Sequence, residues 1–210
     1  MINFTDFNII QIINHLGTFA FALSGIRLSS HKNFDWFGAY VVGLITAIGG
    51  GTFRDILLDI TPFWMESYSY IIITGIALVL FLLFNKPLLN LNKTLFIFDT
   101  IGLGLFVVVG IEKTLETGFP FSVAIIMGTI TGSLGGVIRD ILINETPLIF
   151  RKDIYALACI AGGISYLLCY ELNLSLNLTQ IIASLTVIVI RFVAVKYKIQ
   201  VPNINFNNNL

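Results

Sequence analysis

Apolar positions fall in seven long stretches separated by short polar connections. A helix that crosses a bilayer needs about 20 mostly apolar residues. The stretches run over 8–28, 36–58, 68–84, 94–113, 119–143, 154–170 and 178–197, and each is predicted to be a spanning helix. The connections 29–35, 59–67, 85–93, 112–118, 144–153 and 171–177 hold the turn formers and most of the charges. No linker or shift in composition marks off a soluble domain, so residues 1–200 form one membrane domain. The Asn-rich tail, 201–210, is expected to be disordered. The predicted class is an all-α integral membrane protein.

Composition strengthens this reading. Hydrophobic residues make up 56% of the 210 positions and charged residues 11%, against roughly 25% charged in soluble domains. A mean hydropathy of +0.90 leaves too little polar cover for a globular surface. The net charge is zero, which gives no footprint for nucleic acid. Cys159 and Cys169 share one apolar stretch and read as buried thiols, not as a disulfide or metal site. No Lys or Arg precedes the first apolar run, and that run continues past Ala20-Phe21-Ala22. It is therefore read as a retained helix, not a signal peptide.

Charge in the connections sets the orientation. Under alternation, one side collects Arg27, Lys32, Lys86, Lys93, Arg151, Lys152, Lys196 and Lys198. The other has Lys113 alone among Asp6, Asp59, Glu66, Glu112, Glu116 and Glu171. This bias predicts a cell-membrane protein with its C-terminus in the cytoplasm and its N-terminus outside.

The chain also matches itself at an offset of 85 positions. The run Gly43-Leu44-Ile45-Thr46-Ala47-Ile48-Gly49-Gly50-Gly51-Thr52-Phe53-Arg54-Asp55 falls on Gly128-Thr129-Ile130-Thr131-Gly132-Ser133-Leu134-Gly135-Gly136-Val137-Ile138-Arg139-Asp140. Thr61-Pro62 falls on Thr146-Pro147, and Gly17, Phe21 and Gly25 fall on Gly102, Phe106 and Gly110. Chance likeness between apolar helices does not reproduce Gly-Gly-x-x-Arg-Asp and Thr-Pro at fixed spacing. Repeat one covers about 8–84, repeat two about 94–170, and the seventh span lies outside both. Each repeat holds three spans, so the second enters from the opposite side. Such inverted pairs place a solute path at the repeat interface near the midplane.

The repeated motif carries the candidate chemistry. Clustered glycines either kink a helix or let another backbone approach closely. A kink would free carbonyls, which are tolerated at membrane depth only in protein or along a wet cavity. There they can replace part of a cation's hydration shell. Arg54, Asp55, Arg139 and Asp140 are costly within spans and mark a pathway. Adjacent residues diverge by about 100° on a helix, so the expected pairs cross the symmetry axis: Arg54 with Asp140, and Arg139 with Asp55. The other reading is structural: the glycines permit tight crossing, and the Arg-Asp pairs lie at helix ends beside the Thr-Pro turns. The candidate path residues are Thr46, Gly49, Gly50, Gly51, Arg54, Asp55, Asp99, Thr131, Ser133, Gly135, Gly136, Arg139 and Asp140. Asp99 is expected to be paired, protonated or wet, and its repeat mate is the neutral Asn14. His15 reads as a packing residue. Trp36, Phe37, Tyr40, Phe63, Trp64, Tyr68 and Tyr70 read as interfacial anchors. There is no GxSxG, HExxH, P-loop or dinucleotide fingerprint, so neither an enzyme nor a cofactor or metal is expected.

The runs His15 to Gly25, Gly49-Gly50-Gly51-Thr52-Phe53-Arg54-Asp55, Phe98-Asp99-Thr100-Ile101-Gly102-Leu103 and Gly135-Gly136-Val137-Ile138-Arg139-Asp140 resemble the prokaryotic trimeric intracellular cation (TRIC) channel family. The same family is described as the UPF0126 or bacterial glycine-transporter domain. The resemblance covers about 10–195. It implies a homotrimer of seven-helix protomers, each with a narrow potassium-permeable pore lined by bent helices two and five. The pore kinks would be Gly49, Gly50, Gly51, Gly135 and Gly136, with Arg54, Asp55, Arg139 and Asp140 as the associated charges. Leu134 stands where a third glycine would complete the second cluster, and Asn14 where an acidic mate of Asp99 would stand. A passive potassium channel is the leading expectation. The alternative is a carrier of glycine or another small zwitterion, with Arg holding the carboxylate. A membrane assembly or sensing protein without flux is the third class.

Overall fold

The computed structural model describes residues 9–84 and 94–202. Among these residues seven long helices follow one another: α1 (Ile9–Ser30), α2 (Trp36–Leu57), α3 (Ser69–Leu83), α4 (Thr94–Glu116), α5 (Phe121–Leu142), α6 (Ala156–Glu171) and α7 (Leu176–Lys196). A single helical turn, Phe63–Glu66, precedes α3, and a 3-10 turn, Leu148–Phe150, precedes α6 at the equivalent place in the second repeat. Among the described residues five helices, α1, α2, α4, α5 and α7, are long and apolar enough to cross a membrane. α3 and α6 have 15 and 16 residues, about 22–24 Å at 1.5 Å per residue. The shortening is the same in both repeats, because each Thr-Pro turn takes up chain before the third helix begins.

Local chemistry sets the helix ends. The Asp35 carboxylate accepts from the Gly38 N–H at 2.6 Å and caps α2. Asp59 and Asn144, repeat mates, both turn into the left-handed region, with φ of 55° and 56°. Asp and Asn are among the few non-glycine residues that adopt this backbone readily, so both repeats stop their second helix alike.

The helices pack into one bundle joined across the two repeats. α1 lies against α2 and α4, α4 against α5, α2 against α5, and α7 against α4 and α6. The core centres on Phe21 and Phe106, whose rings lie 5.3 Å apart. Outward faces are apolar at helical spacing: Ile72, Ile76 and Val79 on α3, and Leu178, Ile181, Leu185 and Val189 on α7. These are faces suited to lipid or to another protomer. The chain beyond α7 is tied back, with the Val201 N–H donating to the Lys152 carbonyl at 2.9 Å. Of the tail expected to be disordered, 201–202 is thus held, and 203–210 lies outside the described residues.

Below, the N-face is the side where α1 begins and the C-face the side where α7 ends.

Candidate functional site

Where α2 crosses α5, the two backbones touch through glycine. A Cβ on Gly50 would collide with the carbonyl oxygen of Thr131, and a Cβ on Gly135 with that of Thr46. These are the same contact seen from each repeat. The threonine hydroxyls turn back on their own helices, Thr46 to Val42 O and Thr131 to Met127 O, each at 2.6 Å. Ser133 does the same toward Thr129 O. Both helices run unbroken through their glycines. The clusters therefore act through close approach, and the expected kink does not interrupt either helix. Gly49 lies against Ile138, and Gly51 against the Phe63 ring.

The charged pairs flank this crossing, one toward each face. On the N-face side, Arg54 donates through Nε to Asp55 Oδ1 at 2.8 Å, and its Nη2 lies 2.6 Å from the same oxygen. Asp55 Oδ2 accepts from the Phe63 N–H at 2.9 Å. On the C-face side, Arg139 Nε donates to Asp140 Oδ1 at 2.9 Å, and Asp140 Oδ2 accepts from the Leu148 N–H at 3.1 Å. The expected cross-axis pairing is therefore wrong: each arginine bonds its own neighbour. The 100° divergence applies to Cβ directions. At a helix end the long arginine stem swings sideways to the adjacent carboxylate, whose second oxygen caps the incoming turn. All four residues are buried.

The two clusters then diverge. Arg139 Nη1 also donates to Asp99 Oδ1 and to Ser24 Oγ, each at 2.6 Å. Asp99 brings a second carboxylate, and α7 supplies Arg191, whose Nη2 lies 3.8 Å from Asp99 Oδ2. The C-face cluster thus pairs two arginines with two aspartates. On the N-face side, Asn14 occupies the place of Asp99 and donates to the Tyr70 hydroxyl at 3.0 Å, leaving one arginine and one aspartate. His15 bonds Ser69 at 3.0 Å, as a packing residue would.

Each face has a recess. The N-face cleft encloses about 520 Å³ and is lined by Asn14, His15, Phe63, Tyr70, Glu112 and Glu116 among others. Glu112, 7% exposed, accepts from Tyr166 Oη at 3.1 Å and Gln180 Nε2 at 2.7 Å. The C-face cavity is about 150 Å³ and is lined by Leu95, Phe96, Asp99, Leu148, Asp153, Arg191 and Val195. The glycine crossing and the Phe21–Phe106 pair lie between the two recesses.

A family model described as glycine transporter matches twice, over 11–86 and 96–171. The chain belongs to that family. The two matches are themselves 85 residues apart, so the glycine-transporter domain is the three-helix repeat. One relative, the UPF0126 inner membrane protein YadS of Escherichia coli, is 34% identical over 197 residues, covering 92% of this chain and 95% of the relative. Solved structures of TRIC channels superimpose on this member closely. One, of a TRIC cation channel, gives a TM-score of 0.83 at 33% identity, covering 93% of this chain and 97% of the other. The TRIC trimeric intracellular cation channel orthologue from Rhodobacter sphaeroides gives 0.86 at 29% identity, covering 91% and 99%.

Of the candidate residues, the crossing brings together Thr46, Gly50, Thr131 and Gly135, with Gly49 at its side. Gly51 and Gly136 line the two clusters, Gly136 beneath the Tyr155 hydroxyl. Arg191, Ser24, Tyr155 and Glu112 with Gln180 are additions from the structure. Arg191 carried a signal in the sequence: a lone arginine inside an apolar span implies a buried partner.

Proposed function

We propose that the protein is a passive channel for monovalent cations, chiefly potassium, with one path in each protomer of a homotrimer. The observation that carries this reading is the neutralisation of the two repeated-motif arginines, Arg54 and Arg139, within their own clusters. An unpaired arginine would repel a cation; Arg54 is matched by Asp55, and Arg139 by Asp99 and Asp140. The path follows the α2–α5 interface through Thr46, Thr131 and Ser133, from the N-face cleft to the C-face cavity. In the present conformation the glycine crossing closes it, and opening requires α2 and α5 to part. The likeness to TRIC cation channels, one of them trimeric, supports both permeation and assembly. The inner-membrane relative and the charge bias support a cell-membrane site with the C-face cytoplasmic.

The family description favours a second reading, carriage of glycine. Against it, Arg139 is already engaged by two carboxylates and Ser24, and would have to exchange these for the substrate's carboxylate.

The test is reconstitution in a planar bilayer under a potassium gradient, with and without glycine. Unitary currents reversing near the potassium potential and indifferent to glycine support the channel. A silent bilayer of confirmed protein content, together with glycine counterflow in vesicles, overturns it.

A further inference from the structure

The C-face cavity contains an incomplete set of interactions. Asp99 is 1% exposed, yet its Oδ2 has no hydrogen-bond partner. Arg191 is 2% exposed, and its Nε has none either. The nearest approach of the two side chains is Arg191 Nη2 to Asp99 Oδ2 at 3.8 Å, beyond the 2.7–2.9 Å of a charge-assisted hydrogen bond. What holds Arg191 is other than Asp99: its guanidinium lies 5.1 Å from the Phe96 ring centroid and 4.9 Å from that of Tyr155, and Nη1 donates to the Ile154 carbonyl at 3.2 Å. Two aromatic faces and a carbonyl form a cradle for a cation, beside a carboxylate oxygen that stays unfilled. The Tyr155 hydroxyl, also buried and without a partner, offers a further oxygen nearby. Asp153 adds a second carboxylate to the cavity wall.

We propose that Asp99 is a cation-binding residue at the C-face end of the path, and that Arg191 is a tethered cation that masks it. In the present conformation the guanidinium neutralises Asp99 without satisfying Oδ2. A monovalent cation entering from the C-face can take that oxygen if Nη2 of Arg191 turns away from it while the aromatic cradle keeps hold of the guanidinium. The mask belongs to α7, outside the repeat, so the path acquires a polarity that its inverted symmetry would not give. The equivalent N-face position is Asn14, with no carboxylate to mask. The flux part of this proposal rests on the channel reading; the binding part does not.

The experiment has two readouts on purified full-length protein. The first is stabilisation against thermal unfolding by thallium(I) or rubidium, which needs no flux. Unmasking scales apparent affinity by the fraction of time the site is free, so Arg191→Gln should lower the half-saturating concentration by about tenfold. Asp99→Asn should abolish the response, and the double variant should behave as Asp99→Asn. The second readout is potassium conductance as the C-face concentration is raised, where the same order should appear. Arg191→Lys, which keeps the charge, covers the case in which Arg191→Gln does not fold: with the shorter side chain masking less completely, its half-saturating concentration should fall severalfold. An unchanged cation response in the Arg191 variant that folds overturns the proposal, as does a double variant that keeps the Arg191→Gln shift. Cation binding in the expected order without current overturns the channel reading and leaves this site standing.

Discussion

The N-face and C-face clusters descend from one motif and use it to different ends. Both contain a buried Arg-Asp pair whose carboxylate caps the next turn. The N-face copy stops there. The C-face copy adds Asp99 and recruits Ser24 from α1 and Arg191 from α7. An inverted repeat supplies matched frameworks on both sides, and the element outside the repeat makes one of them different. The same divergence appears at Arg27 and Glu112, repeat mates of opposite charge buried at opposite faces.

This comparison can be broken most directly at the arginines. Removing one partner of a buried ion pair costs about 3–5 kcal/mol. Arg139→Gln strands two carboxylates and should fall near about 5 kcal/mol, whereas Arg54→Gln strands one and should fall near about 3 kcal/mol. Unfolding in mixed micelles measures both; equal losses would mean that the extra partners of Arg139 carry no energy. The crossing should behave oppositely, with matched effects. Gly50→Ala and Gly135→Ala each place a methyl against a carbonyl of the other helix, and each should cost about 1–3 kcal/mol. A clear difference between them in the same assay would show that the contact is not symmetric in energy.

Asn14→Asp restores the missing acidic mate. Its carboxylate has no arginine from a seventh helix, but it borders the open N-face cleft, so the cost should be about 1–2 kcal/mol. A loss as large as that of Arg139→Gln would show that the cleft is not wet. The smallest effect lies between the C-face loops, where Lys32 and Glu145 pair at 2.7 Å. The hydrogen bond and charge of Lys32 hold the Glu145 carboxyl below its ordinary range. A depressed carboxyl stabilises the fold above its unfolded pKa and ceases to do so as pH falls through its folded pKa. Lys32→Ala should therefore lower thermal stability slightly at neutral pH and leave it unchanged once Glu145 is protonated. A difference that persists in acid would assign the effect to packing.

Much of this was legible in the sequence because periodicity and repetition report directly on backbone. The seven helices, their inversion and the meeting of helices two and five follow from apolar runs and one offset. The choice between kink and close approach was not legible, since both need glycine; only the neighbouring carbonyls of Thr46 and Thr131 decide it. Pairing was read wrongly because helical angles describe where side chains start, and Arg54 and Arg139 are long enough to end elsewhere. Arg191 had no repeat mate to draw attention to it, and its partner Asp99 lies 92 positions away, a separation that only folding closes.

Phe21 and Phe106 are repeat mates, and they pack against each other at the centre of the molecule. A residue that meets its own image marks a seam between two copies of one ancestor. A three-helix half inserted in both orientations could close on itself along this line as an antiparallel homodimer, with every later substitution felt on both sides of the bilayer at once. Fusing the halves into one polypeptide ended that obligation, and the molecule could acquire a front and a back.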